Sequence, residues 1–206
     1  QSFKASNLVS KKARLANYQK KSFHKDSMID LLKKYELSED EQIILYNYCK
    51  KIKIEFLSSA FDDESLNFLI TSLKIKKIKI PSGELNNLPL LIKIAKANKT
   101  TFLSTGMANL KEIKKAIKIL NKNGLKKKKL IILHCNSAYP TPMRDANLRS
   151  IPFLKKKLGM KVGYSDHTLG LESSIAAISL GAIVIEKHFT LNRKMKGPDH
   201  STSLMP

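Results

Sequence analysis

Short runs of β-branched and apolar residues alternate with longer segments of helical periodicity, and this alternation constrains the fold more than any other feature of the chain. The extended runs are Ile52–Leu57, Ile75–Ile80, Thr100–Ser104, Leu130–Cys135, Lys161–Tyr164 and Ala182–His188. Between them apolar residues recur three and four apart. Asp62–Leu73 places Leu66, Leu69, Ile70 and Leu73 on one face, and Asn109–Leu120 does so with Ile113, Ala116, Ile117 and Leu120. Pro89–Ala97, Leu148–Leu158 and Leu171–Leu180 are shorter versions, and Ser27–Tyr35 reads as a short helix. Capping-box spacing marks two helix starts, Ser38 with Glu41 and Asn109 with Glu112. Repeated βα units force parallel strands joined by right-handed crossovers. An open doubly wound sheet and a (β/α)8 barrel are the two architectures of that kind. A barrel needs about 250 residues, and the 206 residues here hold about six or seven units, so a barrel would be incomplete at one or both ends. No linker or break in composition marks a second domain. Gln1–Asn17 reads as a strand end followed by a polar loop.

Composition narrows the class. Apolar residues make up 42% and charged residues 27%, the balance of a globular chain rather than a disordered one. The longest apolar stretch, Ala176–Ile185, is interrupted by Ser179 and Gly181 and falls short of the roughly 20 residues of a membrane span. No basic-then-apolar leader argues for secretion, and Cys49 and Cys135 cannot form a disulfide framework, so a reducing, cytoplasmic setting is expected. The net charge of +21 invites a polyanion-binding reading. Lysine supplies nearly all of it. Arginine occurs only at Arg14, Arg144, Arg149 and Arg193, and the planar arginine fork is what base-edge readers use. A solvated lysine surface that draws small anions is the simpler reading, with no specific nucleic acid as partner. The chain starts at Gln1 rather than Met, the mark of a processed, trimmed or partial sequence.

Polar and titratable residues gather just after the extended runs, the active face of both α/β architectures. Hydroxyls recur there: Ser59, Ser82, Ser104, Thr105 and Ser165. With Lys79, which Ile78 and Ile80 flank within a strand, they can hold a phosphate or carboxylate. Turn chemistry alone also favours Ser and Thr in such places. His167 and His188 end neighbouring strands and can either share one divalent ion or serve as structural histidines. Glu84, Asp166, Glu186 and Asp199 are candidate bases or sugar-hydroxyl acceptors. Cys135 directly follows His134, and adjacent strand residues point to opposite faces, which argues against a Cys–His nucleophile pair. Cys49 lies on a predicted helix and reads as core. No glycine-rich phosphate loop is present.

These residues resemble a known family. Lys79-Ile80-Pro81-Ser82-Gly83-Glu84 with Asn86-Asn87-Leu88-Pro89, Leu103-Ser104-Thr105-Gly106-Met107 and Leu133-His134-Cys135 with Tyr139-Pro140 are similar to motifs of sialic acid synthases. So are Gly163-Tyr164-Ser165-Asp166-His167-Thr168-Leu169-Gly170, Glu186-Lys187-His188-Phe189-Thr190 and Gly197-Pro198-Asp199-His200. The family comprises N-acetylneuraminate synthases and their legionaminic and pseudaminic acid relatives, and the likeness runs from Gln1 to Pro206. It implies an α/β TIM (β/α)8 barrel, incomplete in this chain, with early strands and a C-terminal antifreeze-like domain missing. It implies condensation of phosphoenolpyruvate with an open-chain N-acetylated amino sugar, N-acetylmannosamine or a 2,4-diacetamido-6-deoxy hexose, to a nine-carbon sialic acid and phosphate, for surface polysaccharide synthesis. A divalent cofactor, Mn2+ or Mg2+, is implied at His167 and His188. Ser59, Lys79, Ser82, Ser104, Ser137 and Ser165 correspond to phosphoenolpyruvate contacts, Glu84 to the acid beside the reacting aldehyde, and Gln1, Tyr139 and Asp199 to amino-sugar contacts.

Some positions depart from the family. Ser59-Ala60 stands for the usual Thr-Pro, and Asn136-Ser137 for a Thr followed by Asn, Thr or Ser. Ser82-Gly83-Glu84 favours the neuraminate and legionaminate branches. The resemblance further implies a homodimer for the full-length protein and an inactive chain when these residues stand alone. A degenerate barrel that binds phosphoenolpyruvate without turnover, or a basic polyanion-binding module, are the alternatives.

Overall fold

A computed structural model describes residues 1–9, 27–197 and 199–206. The expected polar loop therefore lies, from residue 10 on, outside the described residues, as does Pro198 of the last motif. The chain forms two compact units, Gln1–Lys79 and Ile80–Pro206.

The first unit is helical. It contains α1 (Ala5–Leu8), α2 (Met28–Tyr35), α3 (Glu39–Lys51) and α4 (Asp63–Asn67), the last running into a π-helical turn, Phe68–Ser72. Local chemistry sets the starts. The Ser27 hydroxyl accepts the Asp30 N–H. Ser38 and Glu41 close the expected box, the Glu41 carboxylate accepting from Ser38 N at 2.7 Å. Asp62 accepts from Ser65 N at 2.8 Å and from Lys4 N at 2.8 Å. The segment read as one helix over Asp62–Leu73 thus changes pitch midway, with the Leu73 N–H reaching the Phe68 carbonyl. Leu66, Leu69 and Leu73 are buried, while Ile70 is only half-buried.

The expected strand Ile52–Leu57 does not form. Residues 52–54 instead close α3: Ile52 N–H donates to Tyr48, Lys53 N–H to Lys50 and Ile54 N–H to Cys49, with Lys53 at φ 60. This left-handed closure consumes the donors that a ladder would need. Strand pairing survives only as isolated parallel bridges further along, Ser2 with Ala60 and Ser59 with Lys79.

The other runs are strands: β1 (Lys77–Ile80), β2 (Thr100–Ser104), β3 (Leu130–Cys135), β4 (Lys161–Asp166) and β5 (Ile185–Lys187). The five-stranded sheet has the order β1-β2-β3-β4-β5. In the second unit the pairs β2–β3, β3–β4 and β4–β5 are all parallel, with Thr101 opposite Leu130, Ile131 opposite Lys161 and Tyr164 opposite Ile185. The order never reverses, so there is no switch point of the doubly wound kind, and the fold is an incomplete (β/α)8 barrel. Helices α5 (Leu88–Ala97), α6 (Leu110–Lys122), α7 (Ser150–Leu158) and α8 (Glu172–Ser179) supply the crossovers. Asn109 and Glu112 form the second capping box, and α7 ends at Gly159 in the left-handed region. Leu103, Ile132, Leu133 and Val162 are buried along near-continuous apolar strands, as a sheet covered on both faces requires. β5 is shorter than its apolar run because Gly181 and Ala182 first close α8, the Ala182 N–H donating to Ala177.

Candidate active site

Parallel strands bring their carboxyl ends to one rim, and the candidate residues of the second unit sit there. The register sets Ser165 opposite Glu186 and Asp166 opposite Lys187, so the residues that follow, His167 and His188, leave adjacent strands at the same level. Their ring centroids are 5.5 Å apart with an interplanar angle of 89°. His167 Nδ1 lies 2.7 Å from the Asn136 carbonyl oxygen, which can only accept. Nδ1 is therefore the donor in that bond, and Nε2 is the ring nitrogen left to face a ligand. His188 Nδ1 lies 3.6 Å from an Asp199 carboxylate oxygen. Burial lowers the His188 pKa by more than the Asp199 carboxylate raises it, which favours the neutral ring that binds metals. Tyr139 packs on both imidazoles, with centroids 5.1 Å from His167 and 4.4 Å from His188.

The hydroxyls form a second cluster, centred on Gly106. This residue has φ +50, and a Cβ there would stand 2.5 Å from Ser82 Cβ, 2.6 Å from Ser82 Oγ and 3.2 Å from Ser137 Oγ. Two hydroxyls thus converge on a bare backbone, held by the Gly106 N–H to Cys135 Sγ bond of 3.1 Å. Ser104, two residues upstream, has a buried hydroxyl with no hydrogen-bond partner among the described residues. Segment 136–139 joins the clusters: Asn136 holds His167, Ser137 faces Gly106 and Tyr139 covers the imidazoles.

The remaining candidates are placed differently. The Ser165 hydroxyl donates to Glu186 Oε1 at 2.6 Å. Glu84 is half-buried in a 3-10 turn, where the Asn87 amide donates to it at 2.6 Å. In the first unit, Lys79 is 7% exposed, in keeping with its apolar neighbours, and bridges Ser59 through the backbone; Gln1 is exposed. Cys135 and His134 do diverge: the His134 ring stacks on Tyr164 and bonds the Ala146 carbonyl, and burial lowers its pKa.

Sequence reasoning names Gly106, Asn136 and Lys187 only as members of motifs and gives them none of the roles seen here. Gly106 was detectable as the lone glycine following a Ser-Thr strand end. Asn136 acts through its carbonyl, which no side-chain pattern reveals. Asp166 is buried under four hydrogen bonds; burial alone would raise its pKa, but the bonds from Ser174, Lys187 and Thr168 outweigh it and hold the carboxyl below its ordinary value. Among the described residues no three His, Cys, Asp or Glu side chains converge as a closed metal cage. Two imidazoles facing each other suit an open site that water or substrate completes.

The chain is 50% identical over its whole length to the N,N'-diacetyllegionaminic acid synthase of Campylobacter jejuni and 42% identical to that of Legionella pneumophila. It spans 62% and 58% of the lengths of those relatives. A crystal structure of the N-acetylneuraminic acid synthetase of Leptospira borgpetersenii superimposes with a TM-score of 0.86 at 32% identity, covering 100% of this chain and 66% of that one. A model of the NeuB family matches residues 1–206, and the chain belongs to that family.

Proposed function

We propose that this chain carries the rim of a phosphoenolpyruvate-dependent sialic-acid-type synthase of the cytoplasm. The observation that carries the reading is the continuity of segment 136–139, which sets a hydroxyl cradle beside a pair of imidazoles. The Ser82 and Ser137 hydroxyls over Gly106, with the buried Ser104 hydroxyl, offer neutral donors to a phosphate. Within the first unit, Lys79 and Ser59 are joined by a parallel bridge and offer a cation and a hydroxyl of the kind that hold anions. C3 of phosphoenolpyruvate forms a bond to the aldehyde carbon of the amino sugar, water adds to C2, and the C2–O bond to phosphate breaks. His167 and His188 would hold a divalent ion, Mn2+ or Mg2+, which when bound polarises the aldehyde. Tyr139 orients both rings and walls off water. Glu84, with its side chain fixed by Asn87, would in its protonated form give the proton that the developing alkoxide takes up. Asp199, beside His188, is placed to accept a sugar hydroxyl.

The similarity to legionaminic acid synthases favours a 2,4-diacetamido-6-deoxy hexose over N-acetylmannosamine as the acceptor. The test is phosphate release from phosphoenolpyruvate by the full-length protein with manganese and each sugar in turn. Release with one sugar, lost in His167→Ala and His188→Ala, is the expected result. No release with any sugar would overturn the reading.

A further inference from the structure

Asp166 and Lys187 are the last residues of β4 and β5, each one position before a histidine. Side chains alternate along a strand, so this pair points away from the imidazole side, toward α8. There the Ser174 hydroxyl of α8 donates to Asp166 Oδ2 at 2.6 Å. Lys187 Nζ lies 2.9 Å from Asp166 Oδ2 and donates to the Thr168 carbonyl at 2.8 Å. Asp166 Oδ1 accepts the Thr168 N–H at 2.8 Å and the Thr168 hydroxyl at 2.7 Å. The residues before and after His167 are thus tied to one ammonium, and that ammonium belongs to the residue before His188. The Asp166 side chain is 0% exposed and that of Lys187 is 11% exposed.

A buried ion pair is a poor device for stability alone, since apolar residues of the same volume serve as well. Its yield is geometry. We propose that Asp166 and Lys187 form a positioning clamp that fixes His167 against His188 at the separation a divalent cation requires. The proposal rests on the metal reading of the histidines. It matters because two imidazoles without a third protein ligand among the described residues depend heavily on being held in place, and supporting residues of this kind change metal affinity by about 10- to 100-fold.

The test is manganese binding by the full chain, read from the electron paramagnetic resonance signal of free Mn2+, alongside thermal unfolding. Lys187→Met and Asp166→Asn should weaken binding tenfold or more while the variants still unfold cooperatively. Should either fail to fold, Thr168→Val removes a single hydroxyl bond to Asp166 and should still weaken binding several-fold. Folded variants that bind manganese within twofold of the parent, whatever their melting temperature, would overturn the clamp. Binding that survives both His167→Ala and His188→Ala would overturn the metal reading itself, a distinct result.

Discussion

Substituting Gly106 by Ala tests whether the hydroxyl cradle is built on a bare backbone, and Gly159 supplies the control. Both glycines are left-handed, at φ +50 and φ +59. A Cβ at Gly159 meets only the Lys127 ammonium at 3.7 Å, the mobile end of a long side chain. Gly159→Ala should therefore bear the backbone cost alone, about 1–2 kcal/mol. For a chain of this size that lowers the melting temperature by roughly 2–8 °C. At Gly106 the new methyl would overlap Ser82 Cβ at 2.5 Å, an atom that cannot swing aside without moving the turn Ser82–Glu84. Overpacking of this kind adds about 1–3 kcal/mol. The displaced Ser82 and Ser137 hydroxyls would each forfeit a bond to a charged ligand, worth about 1.5–3 kcal/mol. Losing one weakens phosphoenolpyruvate binding by roughly 10- to 100-fold. Thermal unfolding and calorimetric titration of both variants give the answer. Equal melting losses, with phosphoenolpyruvate binding intact in Gly106→Ala, would refute the cradle.

Ser104→Ala should leave the melting temperature unchanged or raised, because it removes a buried hydroxyl with no partner among the described residues, yet it should weaken phosphoenolpyruvate binding. A clear loss of stability would show that the hydroxyl is bonded within the fold. Ser38→Ala opens the capping box of α3 and should cost about 1 kcal/mol in denaturant unfolding; no change would mean that the cap is idle. The Ser38 backbone N–H, and then its hydroxyl, hold the Glu41 carboxyl below the ordinary glutamate range. Its contribution is complete above the unfolded pKa and lost as pH falls through the lowered folded value. A carboxyl-carbon NMR titration should place the Glu41 midpoint below that of a free glutamate, and a midpoint at or above it would contradict the box.

Strands β2 and β3 were legible to the residue, because Thr100–Ser104 and Leu130–Cys135 are apolar runs bounded by turn residues and buried on both faces. Both capping boxes were legible for a similar reason, as their partners lie three residues apart. What failed was local competition. Ile52–Leu57 has the composition of a strand, but the end of α3 claims its first donors. The barrel order had to come from pairing, which no single run encodes. At the rim, residue types marked His167, His188 and the serines. Contacts made by backbone carbonyls, or by the far side of a strand, such as Asn136 and Lys187, leave no trace in residue type.

Strand order also dictates a timetable. Each strand pairs with the one made just before it, Thr101 with Leu130, Ile131 with Lys161 and Tyr164 with Ile185, so each closure spans roughly twenty to thirty residues and carries a similar, modest entropic toll. A chain emerging from the ribosome can lay down its sheet in sequence, and folding of that kind starts from the N-terminal side. The imidazole pair comes last. His167 leaves β4 and His188 leaves β5, so the pair forms only when β5 docks on β4. A nascent chain halted after β4 would own the hydroxyl cradle and one histidine, and would gain the imidazole pair only once β5 is added.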